Sequence, residues 1–401
     1  MTKKKAIIFN CHYNGLAIIQ ALGKEGIECI AMDSDRSIGT YSKYAKYIKC
    51  PDPTNNEKEF VEFLYSFCAN EKEKPILFPT NDHWAAAISK NKNKLFEVSI
   101  PCVAEWDTVK ILLEKEKFYE LGEWKGYLTP KTWTIRSIDT IETHSFPIVA
   151  KPEFRRMSSD NDQTELLSNM DRLRLVKLAD KRELEEFIKR EDKYVDFLLF
   201  QEYISGLSDQ MYTVGVYANE ESDVLGLFSG KKVRGYPADI GDCIIGESII
   251  IPKEIEELTR KITKEINYKG IAEFEFKLDV DTNKFRLIEI NPRSWSWIGI
   301  TSSVNINLAL IAYNDLSGKR ISREISKQRN NVAYVKILED LPNVLFRYKK
   351  THPDWSMSYR DWRKSLKKYD KLVIAEFNKK DPMVSIISIL TFARNVVNKF
   401  I

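Results

Sequence analysis

The chain has 401 residues, of which 62 are Lys or Arg and 58 are Asp or Glu, so its formal net charge is +4. Hydrophobic residues make up 43% of it. This length and composition exclude a disordered, collagenous or disulfide-scaffold protein and predict two or three packed units. Because the charge is nearly balanced, nucleic acid is not expected as a partner. Only 16 residues are glycine, so side chains should do most of the work of holding any bound nucleotide.

The six cysteines are scattered without a C-x-x-C pair, and the four histidines are far apart. This distribution predicts reduced thiols in a cytoplasmic protein, with neither a zinc site nor a disulfide framework. The apolar run that follows the basic residues at the N-terminus covers only Ala6–Phe9. It is too short for a signal peptide and predicts a buried strand.

Residues 1–108 alternate between strand and helix patterns. Apolar runs at 5–9, 28–33 and 75–79 are separated by stretches with helical spacing at 16–22 and 58–68. Strands separated by helices predict a doubly wound parallel sheet that binds its ligands beyond the carboxyl ends of the strands. The turn after the first strand has one glycine where a dinucleotide fingerprint has three, so a nicotinamide cofactor is not expected.

The pattern changes after residue 108. One helix is predicted from an N-cap at Asp107 to about Leu121, with Gly126 ending that segment. Later strand patterns follow one another with few helices between them, which predicts an α+β region with an antiparallel sheet. The strands are expected at 147–151, 196–203, 211–217, 224–228, 270–280 and 284–290, and the helices at 181–190 and 252–267.

The tail, residues 331–401, differs in character and is predicted to be a helical extension. It combines Trp355, Tyr359 and Trp362 with many basic residues and a mainly apolar run at 383–393. That run is shorter than the roughly 20 residues that a membrane-spanning helix needs. We favour a helix docked on the core. The alternative is an interfacial helix in peripheral contact with the membrane, which the basic residues Arg394 and Lys399 would support.

The most informative stretch covers residues 270–293. In its first strand Glu273 and Glu275 share one face and apolar residues the other, and the turn chemistry at 281–283 predicts a β-hairpin. A turn centred on Thr282 places Glu275 opposite Glu289, with Cβ atoms roughly 5 Å apart. Like charges there destabilise a sheet unless a cation lies between them, and Asn291 adds an amide oxygen on the same face. This ligand set suits Mg²⁺; the alternative is a solvated strand face.

Glu275 followed by Glu289-Ile-Asn-Pro-Arg293 resembles the metal-binding end of the ATP-grasp superfamily, in which such residues hold two Mg²⁺ against the ATP phosphates. Residues 77–82, 231–237 and 291–295 most resemble its D-aspartate ligase-like branch of carboxylate-amine ligases. The resemblance implies a pre-ATP-grasp domain at 1–108 and an ATP-grasp fold with an antiparallel sheet. That fold would comprise a central subdomain at 109–200 and a C-terminal subdomain with the metal hairpin at 201–330.

The resemblance also implies roles for single residues. The metal ligands would be Glu275, Glu289 and Asn291. They would hold two Mg²⁺ ions, or Mn²⁺ in place of Mg²⁺. The nucleotide contacts would be Lys117 and Lys151 at the phosphates, Glu202 and Ile204 at the adenine edge, and Asp209 at the ribose. The catalytic cations would be Lys232 and Arg234, facing the phosphates or the substrate carboxylate, and Arg293, stabilising the transferring phosphoryl group. From the residues alone, the alternatives are that Lys117 is an exposed helix lysine and that the basic residues at 231–234 form a charged turn.

One loop departs from the family pattern. The segment after Lys151-Pro152 is commonly rich in glycine in the family, whereas residues 153–162 here contain none. The candidate donors that would cover ATP are Arg155, Arg156, Ser158 and Ser159. The pattern predicts a flexible loop that excludes water from the site.

The implied activity is that of an ATP-dependent carboxylate-amine ligase that forms an amide through an acylphosphate. It would join an amino acid or small carboxylate to an amine, with Asn81, Asp82 and His83 as substrate candidates, in the cytoplasm or at the inner face of the membrane. A homodimer is left open. The alternatives are a non-catalytic nucleotide-binding regulatory protein and an enzyme similar to carbamoyl phosphate synthetase.

Overall fold

The structure is a computed structural model that describes residues 3–153, 173, 175–238, 241–319, 321 and 327–397. The described residues form three sheets of five, four and seven strands. All six cysteines are free and buried. Burial raises the pKa of Cys29, Cys68 and Cys102 to about 12, so these thiols behave as small core residues.

The chain begins with the predicted parallel sheet. Its strands are β1 Ala6–Phe9, β2 Cys29–Asp33, β3 Ala45–Lys49, β4 Ile76–Phe78 and β5 Ile100–Pro101. Its helices are α1 Tyr13–Gly23, α2 Glu57–Ala69, α3 Asp82–Lys90, α4 Lys92–Phe96 and α5 Trp106–Leu113. The strand order is β3-β2-β1-β4-β5, and every neighbouring pair is parallel. The chain therefore turns to opposite sides of β1, which is the switch point where such sheets bind ligands.

The single helix predicted from Asp107 is wrong. The structure has α5 and then α6 Lys115–Lys125, because Glu114 between them is extended, with φ −84° and ψ 97°. Gly126 ends α6 with φ 68°, as the predicted helix end requires.

A smaller antiparallel sheet follows. It contains β6 Thr132–Trp133, β7 Ile148–Pro152, β8 Val176–Leu178 and β9 Leu198–Glu202 in the order β6-β9-β7-β8. Helix α7 Lys181–Arg190 begins where the Asp180 side chain accepts the Glu183 backbone N–H at 2.9 Å. Leu184 and Phe187, three residues apart on α7, are buried in the core of this region together with Phe200 of β9.

The remaining strands form the seven-stranded sheet, with the order β14-β13-β10-β11-β12-β15-β16. The strands are β10 Met211–Ala218, β11 Val224–Tyr236, β12 Asp242–Ser248, β13 Gly270–Asp279, β14 Lys284–Asn291, β15 Val332–Val335 and β16 Lys371–Ile374. The helices are α8 Lys253–Glu265, α9 Leu308–Leu316, α10 Ile337–Pro342, α11 Tyr348–Thr351, α12 Tyr359–Leu366 and α13 Pro382–Val397. None of the helices in the described ranges is long and apolar enough to cross a bilayer.

Two features of this sheet differ from the sequence prediction. Strand β11 continues to Tyr236, so the charged turn considered for residues 231–234 is wrong and these residues lie on a strand. The tail is more than a helical extension, because β15 and β16 join the sheet through pairing of β15 with β12. Trp362 of α12 is buried against these strands, and Tyr348 and Tyr369 join it in the same cluster.

The chain divides into two compact units. The larger contains the residues up to Val109, Leu207–Phe274 and the chain from Asn291 onward, and the smaller contains Lys110–Gly206 and Glu275–Ile290. The tail therefore groups with the N-terminal sheet, and the tip of the predicted hairpin groups with the smaller antiparallel sheet.

Candidate active site

In the larger unit, polar side chains tie together the carboxyl ends of three parallel strands. Asp33, at the end of β2, accepts the Cys11 backbone N–H and the Ser37 hydroxyl, each at 2.7 Å. Thr80, after β4, donates its hydroxyl to the carbonyl oxygens of Phe9 and Asn10 at 2.8 and 2.7 Å. These bonds fix the loops at the edge where a doubly wound sheet binds its ligands.

Arg293 lies against the helix that starts at this edge. Asn81 caps α3 by accepting the Trp84 N–H at 3.0 Å, and Asp82 is the first residue of that helix. The Arg293 guanidinium donates from Nε to Asp82 Oδ1 at 2.9 Å and from Nη2 to Asn291 Oδ1 at 3.2 Å. Sequence-predicted substrate and catalytic residues, 211 positions apart, are thus in direct contact within one unit.

Glu273 is a neighbour of this cluster that the sequence analysis did not select. Its carboxylate is buried and accepts the Asn291 side-chain N–H at 3.0 Å and the Thr213 hydroxyl at 3.2 Å. The hairpin register that places Glu275 opposite Glu289 also places Glu273 opposite Asn291, so the predicted pairing could have identified it. The bond to Glu273 fixes which way the Asn291 amide points, with its oxygen toward Arg293.

The buried polar atoms beside Arg293 include two without a hydrogen-bond partner in the described structure. They are the Ser294 hydroxyl oxygen and the Trp295 indole nitrogen. Buried polar atoms are normally paired, so a water or another polar group would be needed to satisfy each of them. Both residues belong to the stretch 291–295 on which the family resemblance depends.

Glu275 and Glu289, the two predicted carboxylate ligands, are half-buried on β13 and β14 in the smaller unit. The apolar face of β13 is as predicted, since Ala272, Phe274 and Phe276 are fully buried. Asn283 in the turn has a positive φ of 53°, which supports the predicted hairpin. The described residues contain no group of three or more His, Cys, Asp or Glu placed to hold a metal.

Lys151 is the best-positioned cation of the smaller unit. It is buried at the end of β7, where its ammonium donates to the Gln201 side-chain oxygen at 2.7 Å and to the Tyr119 hydroxyl at 2.8 Å. The ammonium also lies 4.7 Å from the centre of the Tyr119 ring. A buried charge is costly unless it is hydrogen-bonded, and these contacts fix the position of the Lys151 ammonium. The segment that follows β7 in sequence is the one predicted to cover ATP. That segment, including Arg155, Arg156, Ser158 and Ser159, lies outside the described residues.

The other predicted nucleotide contacts of the smaller unit differ in their exposure and in their hydrogen-bond or ion-pair partners. Lys117 is half exposed and forms an ion pair with Glu114, and that hydrogen bond raises the pKa of Lys117. Glu202, at the end of β9, accepts the Lys131 backbone N–H at 3.2 Å and lies 3.8 Å from Arg286. Ile204 is buried. The geometry of Lys117 is that of an ordinary surface helix lysine, the alternative raised by the sequence.

Asp209 and Lys232 belong to the larger unit. Asp209 lies in a short 3₁₀ helix, Ser208–Gln210, where it accepts the Gln210 side-chain N–H at 3.2 Å. Lys232 is buried on β11 opposite Gly246 of β12. Burial of a lysine on a strand needs partners, which is compatible with the role that the resemblance implies for Lys232.

Arg234 requires a correction. Its guanidinium donates from Nε and Nη2 to the two oxygens of Asp340, both at 2.8 Å, and Asp340 also accepts the Trp362 indole N–H at 2.7 Å. Burial acts to lower the pKa of Arg234, and Asp340 raises it by more. Because this bidentate pair is buried in the cluster around Trp362, the geometry gives Arg234 a structural role in place of the predicted contact with phosphate.

Comparison with known sequences supports the resemblance. No family model matches the chain. D-aspartate ligase from Enterococcus faecium is 24% identical over 309 residues, which cover 72% of this chain and 70% of that protein. The carbamoyl phosphate synthase large chain from Thermotoga petrophila is 23% identical over 287 residues, 67% of this chain, but the match spans only 24% of that much longer protein.

Solved structures share the fold over most of the chain. N5-carboxyaminoimidazole synthetase from Staphylococcus aureus superimposes with a TM-score of 0.62 at 16% identity and covers 88% of both chains. L-amino acid ligase from Bacillus licheniformis has a TM-score of 0.57 at 16% identity and covers 82% of this chain and 78% of its own. A biotin carboxylase domain from Hydrogenobacter thermophilus, solved with MgADP and bicarbonate, has a TM-score of 0.60 at 15% identity. The match covers 83% of this chain and 74% of that domain's chain.

These proteins confirm the predicted architecture, a parallel N-terminal sheet followed by antiparallel sheets. The similarity to D-aspartate ligase extends over most of both sequences. The chain therefore shares the fold of these enzymes, and the sequence comparison supports its resemblance to ATP-grasp ligases of the carboxylate-amine type.

Proposed function

We propose that the enzyme forms an amide bond in two steps, joining an amino acid or small carboxylic acid to an amine. In the first step a carboxylate oxygen attacks the γ-phosphorus of ATP, giving an acylphosphate and ADP. In the second step the amine attacks the acyl carbon, phosphate leaves and the amine gives up a proton. The match to D-aspartate ligase over 72% of the chain is the observation that carries this proposal.

The side chains of the hairpin fit Mg²⁺. Glu275 and Glu289 offer carboxylates and Asn291 an amide oxygen, which are the hard ligands that this ion prefers. Bound there, Mg²⁺ would neutralise phosphate charge and orient the phosphates for in-line transfer. Two ions per site, and Mn²⁺ as a substitute, are the finer predictions of the family resemblance.

The protein's own cations would do the rest of the binding. The buried ammonium of Lys151 is held in place by Tyr119 and Gln201, and a positioned cation of this kind would stabilise an ATP phosphate oxygen. Arg293 is oriented by Asp82 and Asn291 at the edge of the parallel sheet, and there it would stabilise the transferring phosphoryl group. The first step needs positioning and charge neutralisation more than a nucleophilic side chain.

The test is a screen for ADP release with Mg²⁺, in which amino acids and small dicarboxylates are crossed with amine acceptors. We expect ADP release with at least one pair and its loss in Glu289→Gln, which removes a ligand charge but keeps the shape. Glu185→Gln, the same change at an exposed position of α7, is the matched control and should remain active. The proposal fails if no pair releases ADP and Glu289→Gln binds ATP as the wild type does.

The same screen separates the alternatives. An enzyme similar to carbamoyl phosphate synthetase would release ADP with bicarbonate and ammonia and not with amino acids. A regulatory protein would bind ATP and release no ADP with any pair. A homodimer and a cytoplasmic location stay predictions that mass measurement in solution and cell fractionation would test.

A further inference from the structure

Helix α13, Pro382–Val397, exposes an apolar face. Five of its large hydrophobic side chains are between 39% and 59% exposed: Met383, Ile386, Ile389, Leu390 and Val396. At about 100° per residue, these side chains and Ala393 cover a continuous arc of roughly 140° that contains no polar residue. Single exposed hydrophobic residues are ordinary, but a continuous face of this kind marks an interaction surface.

The opposite side of α13 is fastened to the larger unit, so this face points to solvent in the folded protein. Val384 is fully buried, and so is Asp381, just before the helix. Asp381 accepts the Ser42 hydroxyl at 2.5 Å, the Lys43 backbone N–H at 3.0 Å and the Gln20 side-chain N–H at 3.0 Å. The helix is docked on the core, as we favour from the sequence. The side that contacts the core is the one opposite the exposed apolar face.

The exposed charges of the segment that carries the helix, residues 371–397, have one sign. The described segment 371–397 contains two acidic residues, Glu376 and Asp381, and both are fully buried. Its basic residues are all exposed: Lys371, Lys379, Lys380 and Arg394. Every exposed charge on this segment is therefore positive, which complements an anionic surface.

A lysine from another part of the larger unit extends the basic cluster. Burial lowers the pKa of Lys24, and the neighbouring charges of Lys380 and Lys371 lower it further. The Lys24 ammonium is thus within electrostatic range of both Lys380 and Lys371. Phe377, 38% exposed, lies between Lys371 and Lys379 in sequence and adds to the apolar surface. Cations beside exposed hydrophobic side chains are the combination by which helices lie at the interface of a bilayer.

We propose that the apolar face of α13 and the lysines beside it form a docking surface for an anionic lipid bilayer. The helix would lie in the plane of the interface, with Ile386, Ile389 and Leu390 entering the acyl boundary. The cations would face the lipid phosphates, where each contributes by charge attraction that falls off within a Debye length. This surface is independent of the proposed chemistry, since none of its residues belongs to the candidate active site.

The test is flotation of the full chain with vesicles of phosphatidylcholine alone or mixed with phosphatidylglycerol. We expect binding to the mixed vesicles only, weakening as salt is added. Ile386→Ser together with Ile389→Ser should lower the partition coefficient at least about tenfold. Lys379→Gln together with Lys380→Gln should lower it about fivefold for each cation removed.

The controls are Ile250→Ser and Lys58→Gln, the same changes at exposed positions elsewhere on the larger unit, and both should bind vesicles as the wild type does. Circular dichroism of each variant verifies that it is folded. The proposal is overturned if the wild type does not float with the mixed vesicles, or if the controls lose binding equally. It is also overturned if the wild type is a dimer that Ile386→Ser with Ile389→Ser converts to a monomer, because a second copy would then cover the face.

Discussion

Two regions of the larger unit pair an arginine with an aspartate, and they differ in what surrounds the pair. Arg234 donates twice to Asp340, and both side chains are buried within a hydrophobic cluster that includes Trp362. Arg293 donates to Asp82 and Asn291 at the ends of strands, where it is only partly buried.

The difference shows how the same ion pair can have opposite uses. At Arg234 both carboxylate oxygens of Asp340 accept from the guanidinium, and Asp340 also accepts the Trp362 indole N–H. At Arg293 the partners are themselves candidate site residues, and the pair lies at the edge where such sheets bind ligands. A basic residue in a motif is therefore a catalytic candidate only if its partners leave it facing the site.

The largest effect should come from Arg293. Arg293→Met is expected to lower kcat/KM for ADP release by about 10³-fold or more, because a cation at the transferring phosphoryl group acts mainly in the transition state. Arg293→Lys should recover part of the loss, since it keeps the charge but not the two-point geometry. An Arg293→Met enzyme with wild-type kcat/KM would place this pair in the same structural class as Arg234.

Arg234→Met should act on stability. Removing one partner of a buried ion pair leaves Asp340 uncompensated, so the free energy of unfolding should fall by about 3–5 kcal/mol, measured by urea denaturation. The double variant Arg234→Met with Asp340→Leu should recover much of the lost free energy of unfolding. Activity per folded molecule should be unchanged, and a selective loss of activity without a loss of stability would return Arg234 to a catalytic role.

Glu376 offers a second buried carboxylate for comparison with Asp340. It accepts the backbone N–H groups of Ile337 and Leu338, each at 3.1 Å, instead of a guanidinium. Burial raises the pKa of Glu376 to about 7 from the usual 4.5. The folded state therefore holds this proton more tightly than the unfolded state, and stability should decrease as pH rises from about 4.5 to about 7, by about 3 kcal/mol.

Glu376→Gln should remove this contribution to the pH dependence while keeping an acceptor for one backbone N–H. Urea denaturation at several pH values between 4.5 and 8 measures it, with the exposed change Glu185→Gln as the control. A variant whose stability falls with pH as steeply as that of the wild type would mean that another group titrates in this range.

The smallest effect should come from Glu273. Glu273→Gln replaces an acceptor of the Asn291 and Thr213 hydrogen bonds by an amide, so Asn291 should be held less firmly in one orientation. We expect the Mg²⁺ concentration for half-maximal ADP release to rise about tenfold, with kcat nearly unchanged at saturating Mg²⁺. Thr213→Val, which removes the other contact of Glu273, should give a weaker shift, and an unchanged Mg²⁺ dependence in both variants would assign Glu273 to packing alone.

The parts predictable from sequence were those that local patterns encode. The alternation along Gly270–Asp279 identified the buried face of β13, and the apolar runs near the N-terminus identified the parallel sheet. Local sequence patterns did not predict which distant segments pair with one another. The partner of Arg234 lies 106 positions later, and β12, with only two consecutive isoleucines and a glycine, has too little pattern to predict a strand. The role of Glu273 depended on a cross-strand hydrogen bond that the predicted register contained but did not single out.

The division of the hairpin between the units has a practical consequence for dissecting the protein. The chain passes from one unit to the other at four points, so neither unit is a continuous piece. A fragment of residues 110–206 would lack the Ile288 carbonyl that accepts the Tyr119 hydroxyl at 2.6 Å, and the Leu287 N–H that binds the Leu128 carbonyl at 2.7 Å. Since Tyr119 also orients Lys151, excising that segment would disturb Lys151 itself, and the two units are best studied in the intact chain.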